Sequence, residues 1–351
     1  MRGLAPGFGL TGLAGLTLAA LLAVRALAVE PSATVERRLA LMGTRLDLSV
    51  AAPDRATALA ASEKAVAALE AAETRLSTWR DDSELARLNR APVGVPFALS
   101  PALAAELATA RECWAETGGA FDPTVGPLIA AWGLRSGGRL PSAAELRRAV
   151  AATGMDGLAL DGGAAVRLRP GVVVEEGGFG KGAGLKAALA ALAASGATAA
   201  TLDLGGQLAM FGPGRRELAV ADPRRRDRPV VTLAIDRGSV ATSGNSERGI
   251  RAGGRRLGHI LDPRTGRPAP DFGSLTVWAD DPLLADCLSK LYVLGPEKAL
   301  AWAAAHPGVE VLALLPRGKG LQALASRGLA GRLTPVAGIA GSAEDVEIEF
   351  R

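Results

Sequence analysis

The stretch "VVVEEGGFGKGAGLKAA", Val172 to Ala188, passes from an apolar run through a glycine-rich turn into an alanine-rich helical pattern. Such a turn at a helix N-terminus is a backbone anion site, because unpaired N–H groups and the positive helix end face the ligand. Gly178, Gly180 and Ala183 also fit the permissive dinucleotide fingerprint G-x-G-x-x-A. Asp203 follows about 25 residues later at a strand end, near the place of a ribose-binding acid. That fingerprint opens a domain of alternating strands and helices, as in an NAD(P)-dependent Rossmann dehydrogenase, whereas the segments after Ala188 read mostly as hairpins. The Rossmann reading is therefore a distant alternative. The phosphate-loop pattern fails outright: Glu175 stands where Gly is needed, and Gly182 follows Lys181 where Ser or Thr would meet magnesium. Glu175 and Glu176 next to the turn argue against an unaided phosphate and call for a cation nearby.

Working outward, "VERRLALMGTRLDLSVA" alternates as a strand, and Pro53 to Arg75 carries a helical pattern. Asp81-Asp82-Ser83 offers an N-cap for "ELARLN", and Ser100-Pro101 opens a helix that should stop near Thr117 to Gly119. A turn and helix follow in "FDPTVGPLIAAWG", then a helix over Pro141 to Thr153. Short strands are expected at Leu158 to Leu160, Val166 to Leu168 and Val172 to Val174. Thr201 to Pro268 is strand-rich with glycine turns. A strand around Leu275 to Ala279, helices at Leu283 to Leu294 and Pro296 to Ala305, and the strand "VEVLALL" complete the pattern. This interleaving predicts a mixed α+β fold with an antiparallel-rich sheet and flanking helices.

The first 28 residues read as a secretory signal peptide: an early Arg2, an apolar run from Leu10 to Val24, and a small-x-small cleavage site at Ala26-Leu27-Ala28. The alternative is an uncleaved N-terminal anchor ending at Arg25. Residues 29–351 are expected to form a single domain. Net charge is +4, of which Arg2 and Arg25 supply two, and this is not a nucleic-acid pattern. The basic run "DPRRRDRP", Asp222 to Pro229, reads as a solvated loop between strands. Cys113 and Cys287 lie within helical patterns and read as buried free thiols. Two cysteines and two histidines cannot supply an ordinary zinc site, so any metal must be held mainly by oxygen, which favours magnesium or calcium.

Two motifs carry chemistry. "GHILDPRTGRPA", Gly258 to Ala269, places His259 beside the Ile260-Leu261 pair and an Asp-Pro-Arg-Thr-Gly turn, where an imidazole can orient or activate a hydroxyl. His306 reads as a helix C-cap. "LADCLSKLYVLG", Leu284 to Gly295, puts Asp286 in the first turn of an apolar helix, spaced i,i+4 from Lys290. A carboxylate there can serve the helix dipole, pair with Lys290, or ligate a cation.

In order along the chain, "LMGTRLDL", "LSTWRDDSELARLN", "GGAFDPTVGPLIAAWG", "GGFGKGAG", "LDLGG", "VATSGN", "GHILDPRTGRP" and "LADCLSKLYVLGPEKAL" resemble the FAD:protein FMN transferases of the ApbE family, roughly from Arg38 to Leu315. The resemblance implies an exported, periplasmic or membrane-attached enzyme using a divalent metal, usually magnesium. It would move FMN from FAD to a threonine or serine hydroxyl of a target redox protein and release AMP. By the same resemblance, Met42, Trp79, Ala120, Phe121, Asp122, Gly177, Gly178, Lys181, Ala183, Ile260 and Leu261 line an FAD cleft between two lobes. The metal would be held by the Gly180 carbonyl, Asp286, Ser289 and position 290, with His259 and Asp286 in the catalytic set. The cation beside the glutamates would be Lys181, the metal, or both.

The chain departs from the family pattern in two places. Glu175-Glu176-Gly177-Gly178 replaces the usual Asp-Leu-Gly-Gly, and Ala183 replaces an aromatic. Lys290 stands where a metal-binding threonine is usual, and an ammonium cannot ligate magnesium. It either takes the metal's place or bends away. A flavin-binding protein on the same fold, without transferase activity or hydrolysing FAD, is the principal alternative.

Overall fold

The computed structural model describes residues 33–245, 249–252, 254–336 and 346–351. The expected signal peptide, residues 1–28, lies outside the described residues. Among these residues no helix is long and apolar enough to cross a membrane.

Nine strands form one sheet: β1 (Ala33–Leu41), β2 (Thr44–Ala52), β3 (Ala199–Leu204), β4 (Gln207–Phe211), β5 (Gly238–Gly244), β6 (Ser274–Ala279), β7 (Val309–Arg317), β8 (Gly320–Ala325) and β9 (Val346–Phe350). They lie side by side in chain order. Every pairing is antiparallel except β8 with β9. The helices are α1 (Arg55–Leu76), α2 (Glu84–Arg90), α3 (Pro101–Glu116), α4 (Gly126–Trp132), α5 (Ala143–Ala152), α6 (Gly180–Ala194), α7 (Pro282–Leu288) and α8 (Pro296–Ala305). The fold is α+β, as expected.

Local chemistry sets the helix starts. Asp54, Ser83, Ser100 and Ser142 each accept a backbone N–H of the first turn, and Ser142 with Glu145 completes a capping box. Helices cover one face of the sheet: Leu46, Leu48 and Leu202 pack against Leu69, Leu185 and Leu192 of α1 and α6. Further along, Leu275, Val277 and Ala313 pack against Leu107, Leu283 and Leu300 of α3, α7 and α8. The other face, with Leu312, Leu314 and Ala323, is covered by a smaller sheet built from Arg216–Asp222, Arg225–Ile235 and Leu333–Pro335. Strand side chains alternate in direction, so β7 needs apolar residues on both sides, and this explains its unbroken apolar run.

The structure corrects five expectations. The run from Val35 to Ala51, expected as one strand, is two, β1 and β2, folded back at the Met42-Gly43 turn. Val172 to Val174 joins no sheet and makes a single bridge, Val125 with Val173. Without a sheet strand before α6 there is no βαβ unit, and the Rossmann reading falls. Asp203 instead accepts the Gly206 N–H at 2.7 Å in the β3–β4 turn. The basic run at Asp222 is exposed over residues 224–227 as expected, but only Pro223-Arg224 turn between strands and Arg225 onward is strand; buried Asp222 holds Arg224 at 2.8 Å. The helix expected over Leu283 to Leu294 splits into α7 and a 3₁₀ turn, Ser289–Leu294. Cys113 and Cys287 are buried and free. His306 caps α8, with Nδ1 2.6 Å from the Trp302 carbonyl.

Candidate active site

The site is built around the glycines of α6 and the turn before it. A glycine inside a helix costs about 1 kcal/mol relative to alanine, so a series of them needs a reason. Here the reason is close approach. A Cβ on Gly178 would lie 3.1 Å from the Phe121 ring and 3.6 Å from Lys290 Cε. One on Gly182 would lie 2.4 Å from the Pro282 carbonyl and 2.8 Å from Asp286 Cβ. One on Gly184 would lie 2.9 Å from Met42 Sδ. Three separate segments of the chain, carrying Met42, Phe121 and the Asp286–Lys290 helix, are thereby brought to one helix end.

Met42 occupies the β1–β2 turn with φ +50°, a left-handed conformation that is unusual for a side chain other than Gly, Asn or Asp. Its N–H donates to Glu73 Oε2 at 3.1 Å. The strained turn holds the thioether against α6.

Asp286 is buried, and its Oδ2 accepts the Gly182 N–H at 3.0 Å. The Lys290 ammonium donates to Ser289 Oγ at 2.9 Å, the Asp286 carbonyl at 3.2 Å and Asp286 Oδ1 at 3.3 Å. Ser289 Oγ in turn donates to the Asp286 carbonyl at 2.7 Å and accepts from Ser243 at 2.9 Å. Two residues on, Asn245 Oδ1 accepts the Ile260 N–H at 3.4 Å, and its Nδ2 donates to the Tyr292 hydroxyl at 3.2 Å. The end of β5 thus ties the His259–Ile260–Leu261 segment to the helix bearing Asp286 and Ser289. His259 is half-buried there, and Ile260 and Leu261 are buried.

The cation beside the glutamates is Arg135. Its Nη2 lies 2.5 Å from Glu175 Oε2, and it also donates to the Thr78 hydroxyl, which bonds both Glu175 and Glu176. Lys181, half-buried, is the partner of neither. Burial raises the Glu175 pKa, and Arg135 opposes that rise. The same guanidinium sits 4.4 Å from the centroid of the Trp79 ring, which is 71% exposed and so keeps one broad aromatic surface open to a planar ligand. A cavity of about 840 Å³ between α4 and α5 reaches this cluster only at Arg135 and Glu175. None of Asp286, Ser289 or Lys290 lines it.

Other expected residues play supporting parts. Ala120, Phe121 and Ala183 are buried in the core beneath the glycine turn. Asp122 is buried as well and accepts both the N–H and the hydroxyl of Thr124, at 2.8 and 2.5 Å. Burial raises its pKa to about 6. It fastens the loop before α4. Gly177 has open space around it.

Of the expected metal ligands, the side chains of Asp286 and Ser289 do not fit a resident divalent ion. Asp286 and Ser289 are together, but an amide and an ammonium already take their oxygens. Among the described residues no group of three His, Cys, Asp or Glu side chains could hold a metal.

Sequence reasoning missed Thr78, Arg135, Ser243 and Asn245. Ser243 and Asn245 were within reach, since alternate residues at a strand end share a face. Nothing local marked Arg135, whose partner Glu175 is 40 residues away.

A family model described as the ApbE family matches residues 42–313. The FAD:protein FMN transferase of Klebsiella pneumoniae (strain 342) is 31% identical over 295 residues, covering 80% of this chain and 84% of the relative. That of Vibrio cholerae serotype O1 is 32% identical over 269 residues, covering 74% and 80%. Among solved structures, the apo flavinyl transferase ApbE of Pseudomonas stutzeri superposes with a TM-score of 0.75 at 25% identity, over 86% of this chain and 97% of that one. The flavin transferase ApbE of Vibrio cholerae gives 0.73 at 28%, over 86% and 100%.

Proposed function

This chain belongs to the ApbE family, and on that premise we propose that it transfers FMN from FAD to a threonine or serine hydroxyl of a target protein. The observation that carries this reading is the α6 glycine turn, where Lys290, Asp286, Phe121 and Met42 converge on one helix N-terminus. That arrangement suits the pyrophosphate of a dinucleotide, with the positive end of α6 facing its oxygens and the Asp286–Lys290 pair beside them.

In the proposed reaction the acceptor hydroxyl oxygen attacks the phosphorus on the FMN side. A new P–O bond forms, the P–O bond to the AMP phosphate breaks, and AMP leaves. The hydroxyl proton passes to His259 and ends on the AMP phosphate or in water. The open face of Trp79 stacks on a planar ring of FAD, and Met42 closes the cleft beside Gly184. Magnesium, expected from the resemblance, would add charge neutralisation at the bridging oxygen; the donor set around Lys290 does not support it, and no step here depends on it. The apolar leader pattern before Ala28 favours action outside the cytoplasm, where a flavin-carrying redox subunit would be the acceptor.

The test is the mature chain with FAD and a threonine-bearing acceptor, measuring AMP and acceptor-bound flavin fluorescence together. Equimolar AMP and attached flavin are expected. AMP with free FMN would mark a pyrophosphatase, and tight FAD binding without AMP a flavin-binding protein.

A further inference from the structure

We propose that Lys290 is the resident cation of this site, holding the position in which a divalent ion would sit, so that the chain handles FAD without magnesium. The ammonium has three N–H donors, and the structure gives it three oxygen acceptors, at 2.9, 3.2 and 3.3 Å. Its charge is matched by Asp286, whose side chain is 3% exposed against 23% for Lys290. The second carboxylate oxygen is held by the Gly182 N–H. A buried carboxylate lacking a cation would be costly; this one is fully provided for by the chain itself.

Magnesium demands near-octahedral oxygen coordination at about 2.0–2.1 Å. Here the two candidate side-chain ligands already face an ammonium, and a divalent ion on Asp286 and Ser289 would sit against a like charge. The lysine stem also runs past Gly178, with Cε 3.6 Å from the position of an added Cβ, so the ammonium lies beside the turn that receives the anion. A single ammonium, paired with Asp286, thus stands where a divalent ion would supply two charges, and no exchangeable coordination position remains. The inference rests on the transferase reading only for the identity of that anion as the FAD pyrophosphate.

The first measurement is Mn²⁺ binding to FAD-free protein, followed by electron paramagnetic resonance, for wild type and Lys290→Thr. Wild type should bind no stoichiometric Mn²⁺. Lys290→Thr, which frees Asp286 and adds a hydroxyl, should bind about one ion per chain and gain about 5 °C in Tm at a hundredfold excess of magnesium over Kd. In parallel, wild-type FAD affinity and AMP release should be unchanged by excess EDTA. One Mn²⁺ bound per wild-type chain, or loss of wild-type turnover in EDTA, would overturn the proposal. The wild-type arm decides even if the variant fails to fold, and the Mn²⁺ measurement, made without FAD, is independent of the transferase reading.

Discussion

Replacing Gly182 by alanine tests whether the glycines of α6 serve close approach. Two effects oppose each other. Alanine is the better helix former, worth about 0.8–1.0 kcal/mol at an interior position. Against this, the new methyl would lie 2.4 Å from the Pro282 carbonyl oxygen and 2.8 Å from Leu283 Cα, both backbone atoms that cannot swing aside. Overpacking of this kind costs about 1–3 kcal/mol. Moving α7 away also stretches the 3.0 Å bond from the Gly182 N–H to Asp286, a charged hydrogen bond worth about 1.5–3 kcal/mol. The steric and electrostatic losses exceed the helical gain, for a net loss of about 2–3 kcal/mol. At about 2 °C per kcal/mol for a chain of this size, Tm should fall by about 4–6 °C. Calorimetry of Gly182→Ala beside Gly177→Ala, whose added Cβ meets nothing within 4 Å, separates the contact from any generic effect of losing a glycine. A Gly182→Ala protein as stable as wild type would refute the packing account.

Asp122 gives a pH signature. Its folded pKa is raised to about 6, so the folded state holds a proton that the unfolded state releases near pH 4, and stability falls as pH rises from about 4 to 6. The full shift corresponds to about 3 kcal/mol. Asp122→Asn should remove that slope while keeping an oxygen for Thr124, and urea unfolding at pH 4, 5, 6 and 7 reads it; an unaltered slope would exonerate Asp122. Trp79→Ala should leave Tm within about 1 °C, since the ring is 71% exposed, yet weaken FAD binding about tenfold through lost stacking, measurable by flavin fluorescence quenching. Unchanged affinity would put the flavin and adenine elsewhere. His259→Ala should keep FAD affinity and slow transfer about 10²–10⁴-fold if the imidazole carries the hydroxyl proton. Lost FAD binding with intact chemistry on bound FAD would make the histidine a structural element.

The sequence alone determined what depends on neighbours a few positions apart. The serine caps, the helix starts, the alternation of β2 and the split between strand-rich and helical segments are all local, and they were legible. The spacing of Asp286 and Lys290 also made their pairing possible, because one helical turn joins i to i+4. The eight ordered motifs pointed to the family. Two of the helix and strand misreadings have the same origin: Val172–Val174 has a strand's composition but no sheet partner, and the residues after Leu288 tighten into a 3₁₀ turn before Pro296.

What only the tertiary structure decided is which distant groups meet. Arg135 neutralises Glu175 across 40 residues, Ser243 reaches Ser289 across 46, and Gly182 holds Asp286 across 104. Each contact follows from sheet register and helix crossing, which set positions in space without leaving a mark in the local pattern. Whether Lys290 turned toward or away from Asp286 belonged to that class. The chain carries a lysine at that position in either case; the packing of α6 on α7, permitted by Gly182, places its ammonium among the oxygens.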